Sequence, residues 1–378
     1  MSPSDLAEPS AAPRAAPDFL LPPRAYYAAD WYEWEQATLF GARWALVAAS
    51  DELTEPGDYV TATVGRAPLV MLVGHDGELR AFHNLCRHRG MVLLNGSGRV
   101  ERSVNCFYHQ WRYALDGALE VVPQRKDQFP GLDVDDWGLL PASVAVWEGL
   151  VFAHPDPAAP PLADTLRGVP EHLGSHHPGL LRQVSVCRLE ARCNWKLFVE
   201  NHVDVYHLWH LHASTLGDFD HTRFEHVQTG PNWASYEPLK HGDLAGAALT
   251  RGTDQIGHLD ERDRHGIGAH LVFPNLMMAT AAEFFATYVA IPQSPGTSLI
   301  ELRMRAEAGA DAEAITDAAL SFIHEDIRAC EAVQRAVTSP AFRVGPLALD
   351  HERPIESFHS SVLAGMGPTA PMAPGGVR

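Results

Sequence analysis

The sequence predicts an α+β fold that carries a compact all-β unit in its N-terminal third. Three patterns support this. Between Trp44 and about Phe152, short β-like runs (DYVTATV, APLVMLV, ELRAFH, ALEVV, VAVWEGLVFAH) alternate with Gly, Asp and Asn turns. Apolar runs at about 269–280, 283–292 and 297–306 read as consecutive antiparallel strands. Residues 311–337 read as one long amphipathic helix, opened by Asp311 as N-cap and stopped before Pro340.

Taken in order, residues 1–24 are rich in Ala and Pro and read as a disordered tail. YYAADWYEWEQATLF, from Tyr26 to Phe40, has a helical pattern. The β-rich block that follows has roughly a hundred residues, an ordinary domain size. DPAAPPLADTL reads as a Pro-rich linker into mixed α and β sequence. Residues 364–378, ending in GMGPTAPMAPGGVR, read as a flexible tail.

Composition narrows the function. The 378 residues are 46% hydrophobic, enough to bury a substantial core. Net charge is −18 with no lysine-rich block, which argues against nucleic acid and anionic membranes as partners. No stretch approaches 18 uninterrupted apolar residues, and the N-terminus lacks signal-peptide character, so a cytoplasmic location is expected. Five cysteines without an export signal argue for thiols used as ligands or small apolar groups rather than disulfides. With 21 histidines, many must be bystanders.

Two mixed Cys/His pairs fall at turns of the β-rich block: Cys86-x-His88 in CRHRG and Cys106-x-x-His109 in CFYHQW. A structural zinc also takes two Cys and two His, but such sites usually pair like with like. Here each loop supplies one of each, which suits two irons, one held by both thiolates and the other by both imidazoles. That is the ligand set of a Rieske 2Fe-2S cluster. Replacing two thiolates by neutral imidazoles raises the potential from roughly −400 mV to between roughly −150 and +300 mV.

CRHRG, 15 intervening residues and CFYHQW resemble the cluster-binding segment of Rieske non-heme iron oxygenases, the terminal components of ring-hydroxylating and demethylating systems. Phe107 stands where many members carry Pro or Ser. A non-catalytic Rieske electron carrier would share the four ligands, yet this chain continues for more than two hundred residues beyond them.

NWKLFVENHVDVYHLWHLHAS, residues 194–214, holds a second constellation, Asp204-x-x-His207-x-x-x-x-His212. Asp204 and His207 would share a helical face. His207 and His212, five apart, would not, so the helix should end or bulge near Trp209. Two histidines and one carboxylate with open positions suit a non-heme Fe(II) oxygenase. His202 and His210 read as bystanders. For the carboxylate, spacing nominates Asp204. A second candidate is Asp326, which interrupts the apolar stripe Ile315, Ala319, Phe322, Ile323, Ile327, Cys330, Val333 and Val337. A carboxylate there must bind metal or form a buried ion pair.

The family resemblance decides between them. HEDIRACEAVQ is similar to the family segment whose Asp completes the iron triad, which implies His207, His212 and Asp326 as ligands. The resemblance then gives Asp204 a bridging role, between His207 of one subunit and the cluster histidine His109 of its neighbour. It implies a cyclic oligomer, most simply a homotrimer, and a supporting role for Asn201. It further implies a Rieske domain (residues 42–155) inserted near the N-terminus of an α+β catalytic domain (25–41 and 156–363) with an antiparallel sheet and iron-binding helices. Without a G-x-G-x-x-G motif opening a βαβ unit, NAD(P)H must be oxidised by a separate reductase, with or without a ferredoxin. The implied activity is O2-dependent mono- or dioxygenation of a small organic substrate. Trp233, Tyr236, Phe273, Met277, Met278, Phe284, Phe285 and Tyr288 are candidate pocket residues, though most belong in strand cores. They suit an aromatic or cyclic substrate, or alternatively a quaternary ammonium or methylated one undergoing demethylation or hydroxylation.

Overall fold

The computed structural model describes residue 15, residues 17–240 and residues 254–367. The β-rich block folds as strands β1 (Ala45–Ala49), β2 (Asp58–Val64), β3 (Ala67–Val73), β4 (Leu79–His83), β5 (Ser97–Arg99), β6 (Ser103–Asn105), β7 (Arg112–Ala114), β8 (Leu119–Val121), β9 (Pro141–Trp147) and β10 (Leu150–His154). Seven of them form one sheet in the order β1-β10-β9-β4-β3-β2-β5. The remaining three, β6-β7-β8, form a small separate sheet. Val70, Leu72, Phe82, Val104 and Tyr113 join both sheets in one apolar cluster that also contains Cys86 and Cys106.

The second half is built on a seven-stranded antiparallel sheet. Its strands are β11 (Arg182–Ala191), β12 (Glu225–Thr229), β13 (Asn232–Pro238), β14 (Gly266–Val272), β15 (Leu276–Thr280), β16 (Phe285–Ser294) and β17 (Thr297–Ala306), in the order β11-β17-β16-β15-β14-β13-β12. One expected strand, 269–280, is in fact two. Phe273, Pro274 and Asn275 separate β14 from β15, and Pro274, lacking an N–H, suits a break in the ladder.

Four helical elements position the site: α1 (Trp195–Val203), α2 (Leu208–Leu211), α3 (Ala312–Ala336) and α4 (Arg353–Met366). Asn194 caps α1 by accepting from the Lys196 N–H, and Asp311 caps α3 by accepting from the Ala314 N–H. Such caps contribute about 1 kcal/mol each. Ile315, Ala319, Ile323, Ile327 and Cys330 bury one face of α3 in the main core, together with Phe198 and Val203 of α1 and Phe358 and Val362 of α4.

Several expectations need correction. Leu21 is buried in the main core and α4 runs to Met366, so neither 1–24 nor 364–378 is free of core structure throughout. The rest of those expected tails lies outside the described residues. The segment 26–40 is helical but irregular: Ala29–Trp34 is α-helical, and Glu35–Phe40 is wound more loosely with a π-type hydrogen-bond pattern. The linker is not free chain either, because Leu162 and Leu166 pack with Trp44, Leu46 and Phe285 and so join the two halves.

A buried polar network went unread in the sequence. Lys196 Nζ lies 2.5 Å from Glu35 Oε1, and both side chains are fully buried. Trp195 Nε1 donates to the other Glu35 oxygen, Tyr26 donates to Glu200, and Glu200 also contacts His359 Nε2 at 3.0 Å. This ties the N-terminal segment and α4 to α1, the helix that leads to Asp204.

Candidate metal centres and substrate cavity

Two loops of the β-rich unit are near copies of one another. In the first, the Cys86 N–H donates to Met91 and the Gly90 N–H donates back to Cys86, both at 2.8 Å. In the second, the Cys106 N–H donates to Trp111 at 2.8 Å and the Gln110 N–H donates back to Cys106 at 2.9 Å. Each loop turns through a left-handed residue, Gly90 (φ 72°) in one and Gln110 (φ 57°) in the other. Glycine adopts this freely, whereas glutamine bears roughly 1 kcal/mol of strain.

The loops bring all four expected residues together. Cys86 and Cys106 are buried, and His88 and His109 are half-buried above them. The two imidazoles present Nδ1 atoms 3.1 Å apart, and Trp111 stacks flat on His88. Tyr113 accepts the Arg87 N–H at 2.9 Å, and its hydroxyl lies 3.3 Å from Cys86 Sγ, where it would donate to a thiolate. Burial pushes the Cys86 thiol up, and the Tyr113 hydrogen bond opposes it. Phe107 and Tyr108, between Cys106 and His109, project into solvent.

The donor set argues for a cluster over a single ion. Among the described residues only His207, His212 and Asp326 place three ligand atoms within 4.8 Å of one another. A zinc tetrahedron with bonds of about 2.0–2.3 Å would require separations below about 4 Å. The Cys/His quartet is too spread for that, and a two-iron cluster spans the difference.

The second centre forms where α1 stops. Its last residue is Val203, Asp204 is extended, and His207 and His212 flank the single turn of α2. The helix break therefore comes before Trp209, which lies inside α2. Both Nε2 atoms turn toward Asp326 on α3: His212 Nε2 is 2.8 Å and His207 Nε2 is 3.6 Å from Oδ1. The opposite ring nitrogens face other carboxylates. His212 Nδ1 contacts Glu325 Oε2 at 2.8 Å, and Thr215 donates to that same oxygen at 3.2 Å. His207 Nδ1 lies 3.4 Å from Asp204 Oδ2 without hydrogen-bond alignment, while Asp204 Oδ1 accepts the Tyr206 N–H. Burial disfavours a charged His207, but Asp204 and Asp326 outweigh it and lift the imidazole to about 9. Burial alone would raise the Asp326 carboxyl, yet the neighbouring His207 and His212 rings hold it below its ordinary value. Two imidazoles and one carboxylate converging from one side suit a non-heme iron and leave positions open on the other.

His210 is exposed and outside this group. His202 points elsewhere, contacting the His270 carbonyl at 3.0 Å, and burial lowers it to about 4. Glu325 and Thr215 were missed by sequence reasoning. The only available signal for Glu325 was its position beside Asp326.

The triad opens on a cavity of roughly 830 Å³ including its mouth, between α1, α3 and the sheet. Of the eight expected lining residues, Trp233, Phe284 and Tyr288 do line it. Phe273, Met277, Met278 and Phe285 are core, and Tyr236 lies on the far face of β13, its hydroxyl donating to the Arg262 carbonyl. A second cavity, bordered by α3 and residues 342–347, reaches Asn201, Asp204 and His207 from the opposite side of α1.

A family model described as the ring hydroxylating alpha subunit (catalytic domain) matches residues 179–367, half of the 378-residue chain, and a Rieske 2Fe-2S domain model matches residues 43–141. The chain belongs to the ring-hydroxylating oxygenase α-subunit family. Relatives of two kinds match it. The carnitine monooxygenase oxygenase subunit of Acinetobacter baumannii is 32% identical over 215 residues, 56% of this chain and 57% of that protein. The biphenyl 2,3-dioxygenase subunit alpha of Rhodococcus jostii is 36% identical over 193 residues, 50% of this chain and 42% of that one. The matched segment thus spans about half the length of these two relatives. Choline monooxygenase of Spinacia oleracea is 27% identical over 89% of this chain and 76% of its own. Among solved structures, a quaternary ammonium Rieske monooxygenase in complex with L-carnitine superposes with a TM-score of 0.78 at 24% identity, covering 93% of this chain and 96% of that one. Naphthalene 1,2-dioxygenase from Rhodococcus sp. gives 0.77 at 22% identity, covering 93% and 95%. The α-subunit fold, an all-β Rieske domain ahead of an α+β catalytic domain, is therefore shared across both groups.

Proposed function

We propose that the chain is the terminal oxygenase of a multicomponent Rieske system, catalysing O2-dependent mono- or dioxygenation of a small organic substrate. The observation that carries this reading is the pairing, on one chain, of a Cys/His quartet too spread for one ion with a compact His/His/Asp triad open to a cavity. Cys86, His88, Cys106 and His109 would hold the 2Fe-2S cluster. His207, His212 and Asp326 would hold the mononuclear iron. Residues 42–155 then form the electron-accepting domain, and residues 25–41 and 156–363 the catalytic one.

When bound, the two groups supply one-electron transfer and O2 reduction respectively. The protein's own contribution is positioning. Trp111 fixes the plane of His88 by stacking. Glu325 orients the His212 ring, so that Nε2 faces the metal position. Asp204 faces His207 on one side and the second cavity on the other. That arrangement fits a bridge to His109 of a neighbouring subunit in a homotrimer, with Asn201 supporting it. Trp233, Phe284 and Tyr288 provide an aromatic wall suited to an aromatic or cyclic substrate. Electrons would come from NAD(P)H through a separate reductase, directly or through a ferredoxin. Among the described residues no helix is long and apolar enough to cross a membrane, and the net charge of −18 disfavours nucleic acid, in keeping with a cytoplasmic enzyme.

The test is the iron and acid-labile sulfide content of anaerobically purified protein, with its visible and EPR spectra. Roughly three irons and two sulfides per chain with a Rieske-type reduced signal are expected. Zinc without sulfide would refute the reading.

A further inference from the structure

Strand β13 presents alternate residues to the triad cavity: Trp233, Ser235 and Glu237 face it, whereas Tyr236 faces away. Trp233 and Ser235 are ordinary wall residues. Glu237 is not, because it is a buried carboxylate in a mostly apolar chamber. Its partner is a buried histidine, His221, whose Nδ1 makes a short hydrogen bond to Glu237 Oε2. No lysine or arginine lines the chamber among the described residues.

Among the described residues His221 Nε2 is buried without a hydrogen-bond partner, so the ring's polar contact is with Glu237. A buried carboxylate held by one histidine, with no lysine or arginine beside it in the chamber, is a group that a ligand cation would complete.

We infer that Glu237, positioned by His221, is the specificity-determining residue of this chamber and selects substrates bearing a nitrogen cation, an ammonium or quaternary ammonium group. The inference rests on the reading of the cavity as the substrate chamber. It assigns the negative charge to one end of β13 and the aromatic ring of Trp233 to the other, about 13 Å away at roughly 3.3 Å per strand residue. Small side chains lie between them: Ser235 on β13, Ala269 on β14 and Ala279 on β15. A cation seated at Glu237 would thus leave the rest of an elongated substrate extending along the sheet. A purely apolar aromatic molecule would strand the carboxylate instead.

The experiment compares two probes of equal shape, phenyltrimethylammonium and tert-butylbenzene, by titration calorimetry on the iron-loaded enzyme and on Glu237→Gln. Glutamine keeps an acceptor for the His221 N–H and removes the charge. The wild-type enzyme is expected to bind the cation at least about tenfold more tightly than the neutral probe. The variant is expected to lose that preference while binding tert-butylbenzene as well as or better than wild type. Equal affinity of the two probes in the wild-type enzyme, or a preference retained in Glu237→Gln, overturns the charge assignment alone. Failure of both probes to bind a fully iron-loaded enzyme overturns the chamber reading and the inference with it. Equal affinity in the wild-type enzyme overturns the inference without any variant, so it stays falsifiable even where Glu237→Gln fails to fold.

Discussion

The two candidate ligand sets are built in opposite ways. The Cys/His quartet sits on two loops that copy one another, each closed by its own backbone hydrogen bonds and each turning through a left-handed residue. The His/His/Asp triad joins the broken end of α1 to the middle of α3, across 114 residues of sequence. A locally closed loop keeps its geometry whatever happens elsewhere in the chain. A site assembled from distant helices depends on the core that packs them, here Phe198 and Val203 of α1 against Ile323 and Ile327 of α3. Removing a ligand from one set should therefore leave the other standing, and this contrast can be tested directly.

The largest effect is expected from Asp326→Ala, which removes the carboxylate on which both Nε2 atoms converge. Turnover should vanish with loss of the mononuclear iron, while two irons, two sulfides and the Rieske EPR signal persist. Cys106→Ala should do the converse, abolishing the visible spectrum and sulfide content but leaving one iron bound per chain. If either variant lost both centres, the proposed independence would be wrong.

Asp204→Ala comes next. Asp204 is close to His207 but is not one of the three converging residues proposed to hold iron. Both metals should remain, and single-turnover electron transfer should slow by orders of magnitude. A normal single-turnover rate would remove the bridging role. Glu325→Gln is expected to be milder, weakening iron affinity by roughly 10–100-fold, because the amide still contacts His212 but withdraws the charge behind its ring. Chelator competition would measure this without recourse to activity.

The same contrast explains what the sequence made legible. The quartet could be read because its chemistry is local, with Cys and His one and two residues apart in two separate turns. Asp326 stood out as a carboxylate in the buried stripe of a helix, but the family resemblance was needed to choose it over Asp204. The break in α1 could be inferred to exist from the five-residue step between His207 and His212, but its location could not. It falls at Asp204, where the cap of α1 and the backbone contact of Val205 with His351 decide it. The division of 269–280 into β14 and β15 was visible only as Pro274. Glu325, Thr215 and Glu237 act through partners roughly 16 to 113 residues distant, and no spacing rule reaches that far. The network of Glu35, Lys196 and Glu200 escaped for the same reason: Lys196 and Glu35 lie 161 residues apart.

The smallest predicted effect probes the quartet through one hydroxyl. Tyr113 accepts the Arg87 N–H, and its hydroxyl is 3.3 Å from Cys86 Sγ, placed to donate to a thiolate there. Sulfur gains electron density when a cluster is reduced, so a donor on sulfur stabilises the reduced form and raises the potential. Tyr113→Phe deletes that donor and keeps the ring that fills the core. A hydrogen bond of about 1 kcal/mol corresponds to about 40 mV for a one-electron couple. The potential of Tyr113→Phe should accordingly fall by about that much in protein-film voltammetry, with both metals retained. An unchanged potential would mean that the hydroxyl serves only the Arg87 backbone, and that the loops alone set the electronic environment of the cluster.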